Sequence, residues 1–393
     1  MMKYFLLFIS SLVLFSLLTM AQQIDILEKI DDYAQMQAQN LLTNADLVER
    51  NKFLGDDAEI RAISYLFDGS GSEQLFMMIS TQMDENPVRY YAFNNNLYQQ
   101  WKKSAKNNAN NLLNSTKLVN QYYLGQSEIW FEFTNDSETI FSTNRPLNNV
   151  KTVGEFDKHK KIVSELNKAK SKIQSSVEAE QFWRKFSEGK LIDPQQDHII
   201  PNSEFVGDFD WHLGCTPTAA ADMLAFYNNY YGYSNLVKYY YEEYDDLEEE
   251  NDRVVADLIA VLADHLNTNE SGGTLAGQER GRLIYEAALE QDANYDWTDY
   301  GYRWFQPWKK MEEEVDAGYP SVLSVDLAGP DGGHSFCVFG YNNSSGHFYC
   351  HNTWCRGAYW EPRDGHIMRT LAWIHPPLSN SGRAINLTNF KGN

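Results

Sequence analysis

The stretch Gly214-Cys215-Thr216-Pro217-Thr218-Ala219 decides the fold of the second half of the chain. Thr216 followed by Pro217 is typical of a helix N-cap with proline at the first helical position. Apolar residues behind it keep the spacing of one helix face until Gly232, which is predicted to end the helix. Cys215 is therefore expected directly before a helix N-terminus, where unpaired N–H groups and the helix dipole favour an anion. A thiol at this position ionises more easily, which makes Cys215 a candidate nucleophile.

A hairpin further along the chain carries two polar residues that fit the same chemistry. His334 opens a strand behind a glycine-rich loop, and the turn Asn342–Gly346 brings the chain back to Asn352. If the turn is centred near residue 343, His334 and Asn352 lie opposite each other on one face. Imidazole can take the thiol proton and return it to a leaving amine, and the amide oxygen of Asn352 would orient the ring. Cys215, His334 and Asn352 are therefore the predicted catalytic triad.

The elements around these residues predict an α+β protein. In the second half, four amphipathic helices come first and a sheet follows. The first half opens with a helical run from Ile24 to about Glu49, continues with short strands separated by turn signals, and ends in charged helix from Glu155 to about Gly189. Its predicted strands are Glu59–Phe67, Gln74–Thr81, Pro87–Phe93, Lys117–Tyr123, Glu128–Thr134 and Thr139–Thr143, with a helix at Tyr98–Lys106.

The length of 393 residues favours two domains. The proline-marked segment from Ile192 to Ser203 has no periodic pattern, so we predict a structureless linker and a processing site there. The predicted organisation is an N-terminal α+β domain at 22–190, a linker at 191–203, a second domain at 204–377 and a C-terminal tail at 378–393.

The first residues of the chain, Met1–Ala21, have the features of a secretory signal peptide. Lys3 precedes an apolar and serine-containing stretch from Tyr4 to Leu18, and Thr19 and Ala21 supply small residues at the cleavage positions. The stretch is shorter than the roughly 20 apolar residues that a spanning helix needs. No second long apolar run follows, so we expect an exported protein without membrane insertion, secreted or periplasmic.

Composition excludes several classes of protein. An apolar fraction of 43% excludes a disordered or collagen-like chain. A net charge of −21 excludes nucleic acid and anionic membrane surfaces as partners, because such a surface repels phosphate. The acidic stretch Tyr239–Glu250 is predicted to be a solvated loop between helices.

The cysteines and histidines near the end of the chain do not have the spacing of a metal site. Cys350 and Cys355 lack a second Cys/His pair at zinc-finger distance, and His347, His351 and His366 complete no set of three ligands. We predict no metal and no organic cofactor. A disulfide between Cys350 and Cys355 stays open.

Cys215, His334, Asn352 and the residues around them resemble the active-site motifs of the papain-like cysteine peptidases. The order Cys, His, Asn is theirs, Asn352-Thr353-Trp354 resembles their Asn-Ser-Trp element, and the strand opened by Gly333-His334-Ser335-Phe336 is similar to their histidine strand. Gly214–Ala219 is closest to the bacterial bacteriocin-processing (double-glycine) peptidase-like branch, and the helix Trp308–Gly318 before the histidine strand is similar to streptopain.

The resemblance covers residues 204–377. It implies a papain-like catalytic domain, with helices packed on a C-terminal antiparallel sheet, and a protein or peptide substrate. It also implies that the N-terminal domain is a propeptide, as in streptopain-like enzymes.

The chain departs from the papain pattern before the nucleophile. The family carries a glutamine there as an oxyanion donor, whereas this chain has Asp208-Phe209-Asp210-Trp211-His212. Two alternatives to an exported cysteine peptidase therefore stay open. One is a catalytically inactive peptidase-like module for binding or adhesion, and the other is a cell-wall amidase of the same clan.

Overall fold

The computed structural model describes residues 27–125, 129–135, 137–145, 149–170, 176–233, 235–237, 257–274, 276–291, 299–326, 333–364 and 366–375. The predicted signal peptide, the acidic stretch 239–250 and the predicted tail lie outside these residues. Within the described ranges, no helix is both long enough and apolar enough to cross a membrane.

The first half alternates short strands with helices, as predicted. Its strands are β1 (Asp46–Leu54), β2 (Ile60–Asp68), β3 (Gln74–Ser80), β4 (Val88–Phe93), β5 (Lys117–Tyr123), β6 (Ile129–Thr134), β7 (Thr139–Ser142) and β8 (Val150–Thr152). Its helices are α1 (27–41), α2 (Leu97–Asn110), α3 (Val153–Lys170) and α4 (Ser176–Ser187).

The second half places its helices mostly before its sheet. Its helices are α5 (Cys215–Tyr231), α6 (257–265), α7 (Arg280–Gln291) and α8 (Pro307–Asp316). Its strands are β9 (Asp197–Ile199), β10 (Asp299–Arg303), β11 (Ser321–Asp326), β12 (Gly333–Asn342), β13 (His347–His351), β14 (Tyr359–Pro362) and β15 (Ile367–His375). The predicted α+β class, with helices packed on a C-terminal antiparallel sheet, is confirmed.

Strand β1 was predicted to be helical in its first residues. The helical run predicted to reach Glu49 ends at residue 41, and Asp46–Leu54 forms β1 instead. This strand reads DLVERNKFL, and most of its side chains, including those of Leu47 and Val48, are exposed or half-buried. Because few of its residues face a core, it lacks the alternation by which a half-buried strand is recognised.

A single sheet runs through both halves. Its order is β10-β15-β11-β12-β13-β14-β4-β3-β2-β1-β5-β6-β7-β8, with β9 paired to β12, and every pair is antiparallel except β1 with β5. The two halves join where β14 pairs with β4, with Trp360 opposite Tyr91.

Strand β14, from the second half of the chain, contributes to two cores of the first half. Tyr359 and Trp360 are consecutive, so their side chains point to opposite faces of the sheet. Tyr359 enters the apolar core between α2 and strands β2–β7, and Trp360 enters the core between α1, α4 and strands β2–β4. A separate core holds α5–α8 against β11, β12, β13 and β15.

The segment predicted to be a structureless linker contains regular structure. It forms a 3-10 helix at Pro194–Gln196, strand β9, and a 3-10 turn at Ser203–Phe205. Asn342 Nδ2 donates to the main-chain oxygen of Asp193, and the N–H of Ile200 donates to the main-chain oxygen of Phe339. The backbone of the segment is therefore paired with the edge of β12, a partner far along the chain that local patterns cannot indicate.

Candidate active site

Cys215 is the first residue of helix α5, with Gly214 as its N-cap. The prediction that Thr216 caps the helix is wrong, because the helix begins one residue earlier. Gly214 has φ of +151°, and a Cβ there would lie 2.9 Å from Thr268 Cγ2 and 3.0 Å from the oxygen of Gly272. Only glycine fits this approach, so the backbone directly before Cys215 packs on the loop that contains Thr268 and Gly272.

A chain of hydroxyl groups lies beneath the first turn of α5. Thr216 Oγ1 and Ser335 Oγ lie 2.8 Å apart, and Ser335 Oγ lies 2.8 Å from Ser324 Oγ. Arg280 Nη1 donates to the hydroxyls of Ser324 and Thr370. The chain leads from the guanidinium to Ser335, the residue that follows His334.

The thiol of Cys215 is less acidic than its helix position alone predicts. Burial raises its pKa, while its hydrogen bonds with Ser335 and the positive charge of Arg280 act in the opposite direction. Desolvation of the thiolate therefore opposes the easier ionisation that the helix position predicts.

His334 is buried with its ring held in one orientation. Its Nε2 donates to the main-chain oxygen of Asn352 at 2.6 Å, and because a carbonyl oxygen only accepts, we assign the proton to Nε2. Nδ1 keeps its lone pair and has no hydrogen-bond partner among the described residues. Burial lowers the pKa of His334 to about 3, and the charges of Arg145 and His366 add to that effect. The ring is therefore a neutral base.

Asn352 orients His334 through its backbone and not through its amide. Asn352 Oδ1 accepts from the N–H groups of Trp354 and Cys355, and Nδ2 donates to Tyr359 Oη at 2.7 Å. Thr353 has φ of +63°, which is unusual for a β-branched residue. The chain turns sharply here, and the amide of Asn352 stabilises the turn.

The hairpin register explains this difference from the prediction. His334 and Asn352 were expected opposite each other. In the structure Cys337 pairs with His351, and this register places residue 354, two residues after Asn352, opposite His334. The turn is centred between residues 344 and 345, later than the predicted residue 343. A β-bulge between Val338 and Gly340 shifts the pairing back by only one position.

Two arginines near the site gave no signal in the sequence. Arg280 underlies the hydroxyl chain, and Arg145 lies with its guanidinium carbon 5.0 Å from the centre of the Trp354 ring. Trp354 in turn packs on His334, with ring centres 3.8 Å apart. Both arginines come from segments distant along the chain from His334, so only the fold brings them together.

The remaining cysteines and histidines have structural contacts. All four cysteines lie in the described ranges and none forms a disulfide. His347 bonds main-chain oxygens of Ser345 and Val88, and His366 pairs with the buried carboxylate of Glu361 at 2.9 Å. Over the described ranges, no group of three or more His, Cys, Asp or Glu side chains is placed to hold a metal ion.

Residues 194–371 match the sequence model of the family described as Peptidase_C39 like family. The match contains Cys215, His334 and Asn352 and begins inside the segment predicted as a linker. Together with the α+β fold, it supports a papain-like cysteine peptidase domain in the second half, acting on protein or peptide substrates. No curated protein matches the chain. The likeness to the double-glycine and streptopain branches stays a prediction.

Proposed function

We propose that the protein is a cysteine peptidase in which Cys215 is the nucleophile, His334 is the general base and Asn352 orients the imidazole. The observation that carries the proposal is the contact of His334 Nε2 with the main-chain oxygen of Asn352, which assigns the tautomer of the ring. Because Nε2 donates to Asn352, the buried Nδ1 is left as a proton acceptor, and the next residue along the strand, Ser335, contacts the thiol.

In this mechanism, the thiol of Cys215 transfers its proton to His334 Nδ1 as the sulfur attacks the peptide carbonyl. The orphan N–H groups of Cys215 and Thr216 at the start of α5 are candidate donors to the oxyanion, because Pro217 has no N–H. His334 then protonates the leaving amine. Water deprotonated by the same ring releases the acyl group, which restores the thiol.

The test is proteolysis by Cys215→Ala and His334→Ala variants of the full chain. We expect both to lose cleavage of casein and of a mixed peptide library while their thermal unfolding stays cooperative. His198→Ala is the matched control, because its ring is half exposed and packs on Tyr341 in β12 away from the hydroxyl chain. Cleavage by the Cys215→Ala variant would contradict the proposal.

A second candidate is a catalytically inactive binding module. The raised pKa of Cys215 favours it, because a protonated thiol attacks slowly. This candidate predicts a wild-type protein that binds peptides and cleaves none. Including peptidoglycan in the same assay separates a cell-wall amidase from both.

Export through a signal peptide at Met1–Ala21 is also part of the proposal. Synthesis as a precursor, with release of the N-terminal domain, is the alternative to an N-terminal domain that stays with the enzyme. Cleavage between Ile192 and Pro201 requires this segment to leave the edge of β12, where β9 is paired. Determining the N-terminus of the exported protein would test both steps.

A further inference from the structure

Arg145 connects the first half of the chain to the candidate base. Its side chain is only 3% exposed, although it follows β7 in the N-terminal α+β part. Guanidinium, indole and imidazole lie in contact one after another: Arg145 lies over the Trp354 ring, and Trp354 packs on His334 with the two ring planes 34° apart. A cation over an aromatic face stabilises the position of both groups, more strongly when they are away from water.

The backbone next to Arg145 is held by hydrogen bonds within the first half. Thr143 Oγ1 donates to the main-chain oxygen of Ile129 at 2.6 Å, and its N–H donates to the oxygen of Asn149 at 2.9 Å. Asn108 Nδ2, from helix α2, donates to the oxygen of Thr143 at 2.9 Å. Arg145 therefore reaches Trp354 only while this half is folded and in place.

The loop that carries Trp354 is also packed on the first half. Gly357 has φ of +84°, and a Cβ there would lie 2.4 Å from Asn95 Nδ2. Cys355 packs against the core formed by α2 and its strands, and Tyr359, which accepts from Asn352, is part of that core. Both neighbours of the imidazole, Trp354 and Asn352, thus depend on contacts with the first half.

We propose that the first half is a permanent part of the working enzyme, and that its Arg145 is a positioning residue that holds His334 in place through Trp354. This inference rests on the proposed role of His334 as the base. A propeptide that left would remove Arg145 and expose Tyr359 and Trp360, which both lie in apolar cores of the first half.

The first test measures the His334 ring directly. In a Cys215→Ala background with ¹³C-labelled histidine, we expect Arg145→Met to raise the pKa of His334, because a nearby positive charge and some burial are lost. Arg145→Lys, which keeps the charge, should give a smaller shift. Arg50→Met is the control. Arg50 also lies over an aromatic ring, that of Tyr65, but Tyr65 belongs to the core with α1 and α4, away from His334.

The same substitutions are then made in the active protein. We expect Arg145→Met to lower kcat by about tenfold with little change in KM, because the substrate still binds but the base is misplaced. An Arg145→Met variant with unchanged His334 titration and unchanged kcat would overturn the positioning role.

The second test asks whether the first half stays bound. A site for a specific protease is inserted between Asn202 and Ser203, at a left-handed turn, and the protein is nicked and passed over a sizing column in native buffer. We expect the two fragments to co-elute and the His334 resonance to keep its position. Separation of the fragments, with peptide cleavage retained by the C-terminal one, would overturn the proposal. Co-elution of the fragments can be measured whether or not the protein cleaves peptides. A protein whose fragments co-elute but which cleaves no peptide would contradict the proposed function and not the permanent attachment of the first half.

Discussion

At the residue scale, the positive charge of Arg280 lowers the pKa of the Cys215 thiol, against the effect of burial. Because burial raises the pKa of the thiol, we expect site-resolved alkylation of Cys215 by iodoacetamide to be slow near pH 5.5 and to rise in the alkaline range. Arg280 opposes the shift, so Arg280→Met should move the labelling profile to still higher pH.

The control for this prediction is Arg282→Met on the same helix. Arg282 is partly exposed and pairs with Glu279 and Glu286, so its loss should leave the labelling of Cys215 unchanged. Rapid labelling of the wild type at pH 5.5 would contradict the expectation and would indicate a preformed thiolate.

At the scale of elements, helix α5 is joined to the loop before it by a buried carboxyl group. Asp222 Oδ1 accepts from the N–H of Phe209, and burial raises the pKa of Asp222 well above its ordinary value. A raised pKa in the folded state contributes stability that is complete below the unfolded pKa of about 3.9 and is lost as pH rises.

Asp222→Asn removes this titration and keeps an acceptor for Phe209. We expect its melting temperature, relative to wild type, to increase progressively between pH 4 and pH 8. Asp264→Asn is the control, since Asp264 is exposed on helix α6 and is not among the charges that act on Asp222. A difference that did not vary with pH would mean that Asp222 is ionised in the fold.

The sequence was informative where structure is local. The strands β2–β7 and the helix behind Cys215 have apolar spacing and turn residues that specify them, and their bounds were predicted within a few residues. The hydrogen bond between His334 and the Asn352 backbone depends on a β-bulge and on where the hairpin turn is centred. Both change the register of the two strands without changing the apolar pattern of the sequence. Arg145 and Arg280 act through contacts between segments that are far apart in the chain, and the spacing of apolar residues does not indicate such contacts.

At the scale of the whole molecule, one buried ion pair joins the two halves beside the β14–β4 pairing. Arg89 Nη1 contacts both oxygens of Asp364 at 3.0 Å, and the arginine side chain is 1% exposed. Burial by itself would raise the pKa of Asp364, but Arg89 and the N–H of Asn86 lower it overall.

Arg89→Met should therefore cost about 3–5 kcal/mol of unfolding free energy at neutral pH, because a buried carboxylate loses its partner. A lowered pKa contributes stability above the unfolded value near 3.9 that is lost as pH falls, so the cost should shrink below about pH 4. Urea unfolding at several pH values measures both. Arg61→Met, at a partly exposed pair with Asp57, should cost less than about 1 kcal/mol, and an equal cost for both variants would contradict the prediction.

The pairing of β14 with β4 also has a consequence for how the protein is made. Strand β4 is synthesised early, yet its neighbour follows roughly 270 residues later, and contacts between such distant segments form slowly. Until the last strands are synthesised, the edge of β4 is unpaired and the apolar sites later filled by Tyr359 and Trp360 are exposed, so both can bind other chains. Truncated or stalled chains are thus the form most prone to aggregate, and a chain that crosses a membrane unfolded would complete this sheet only after release.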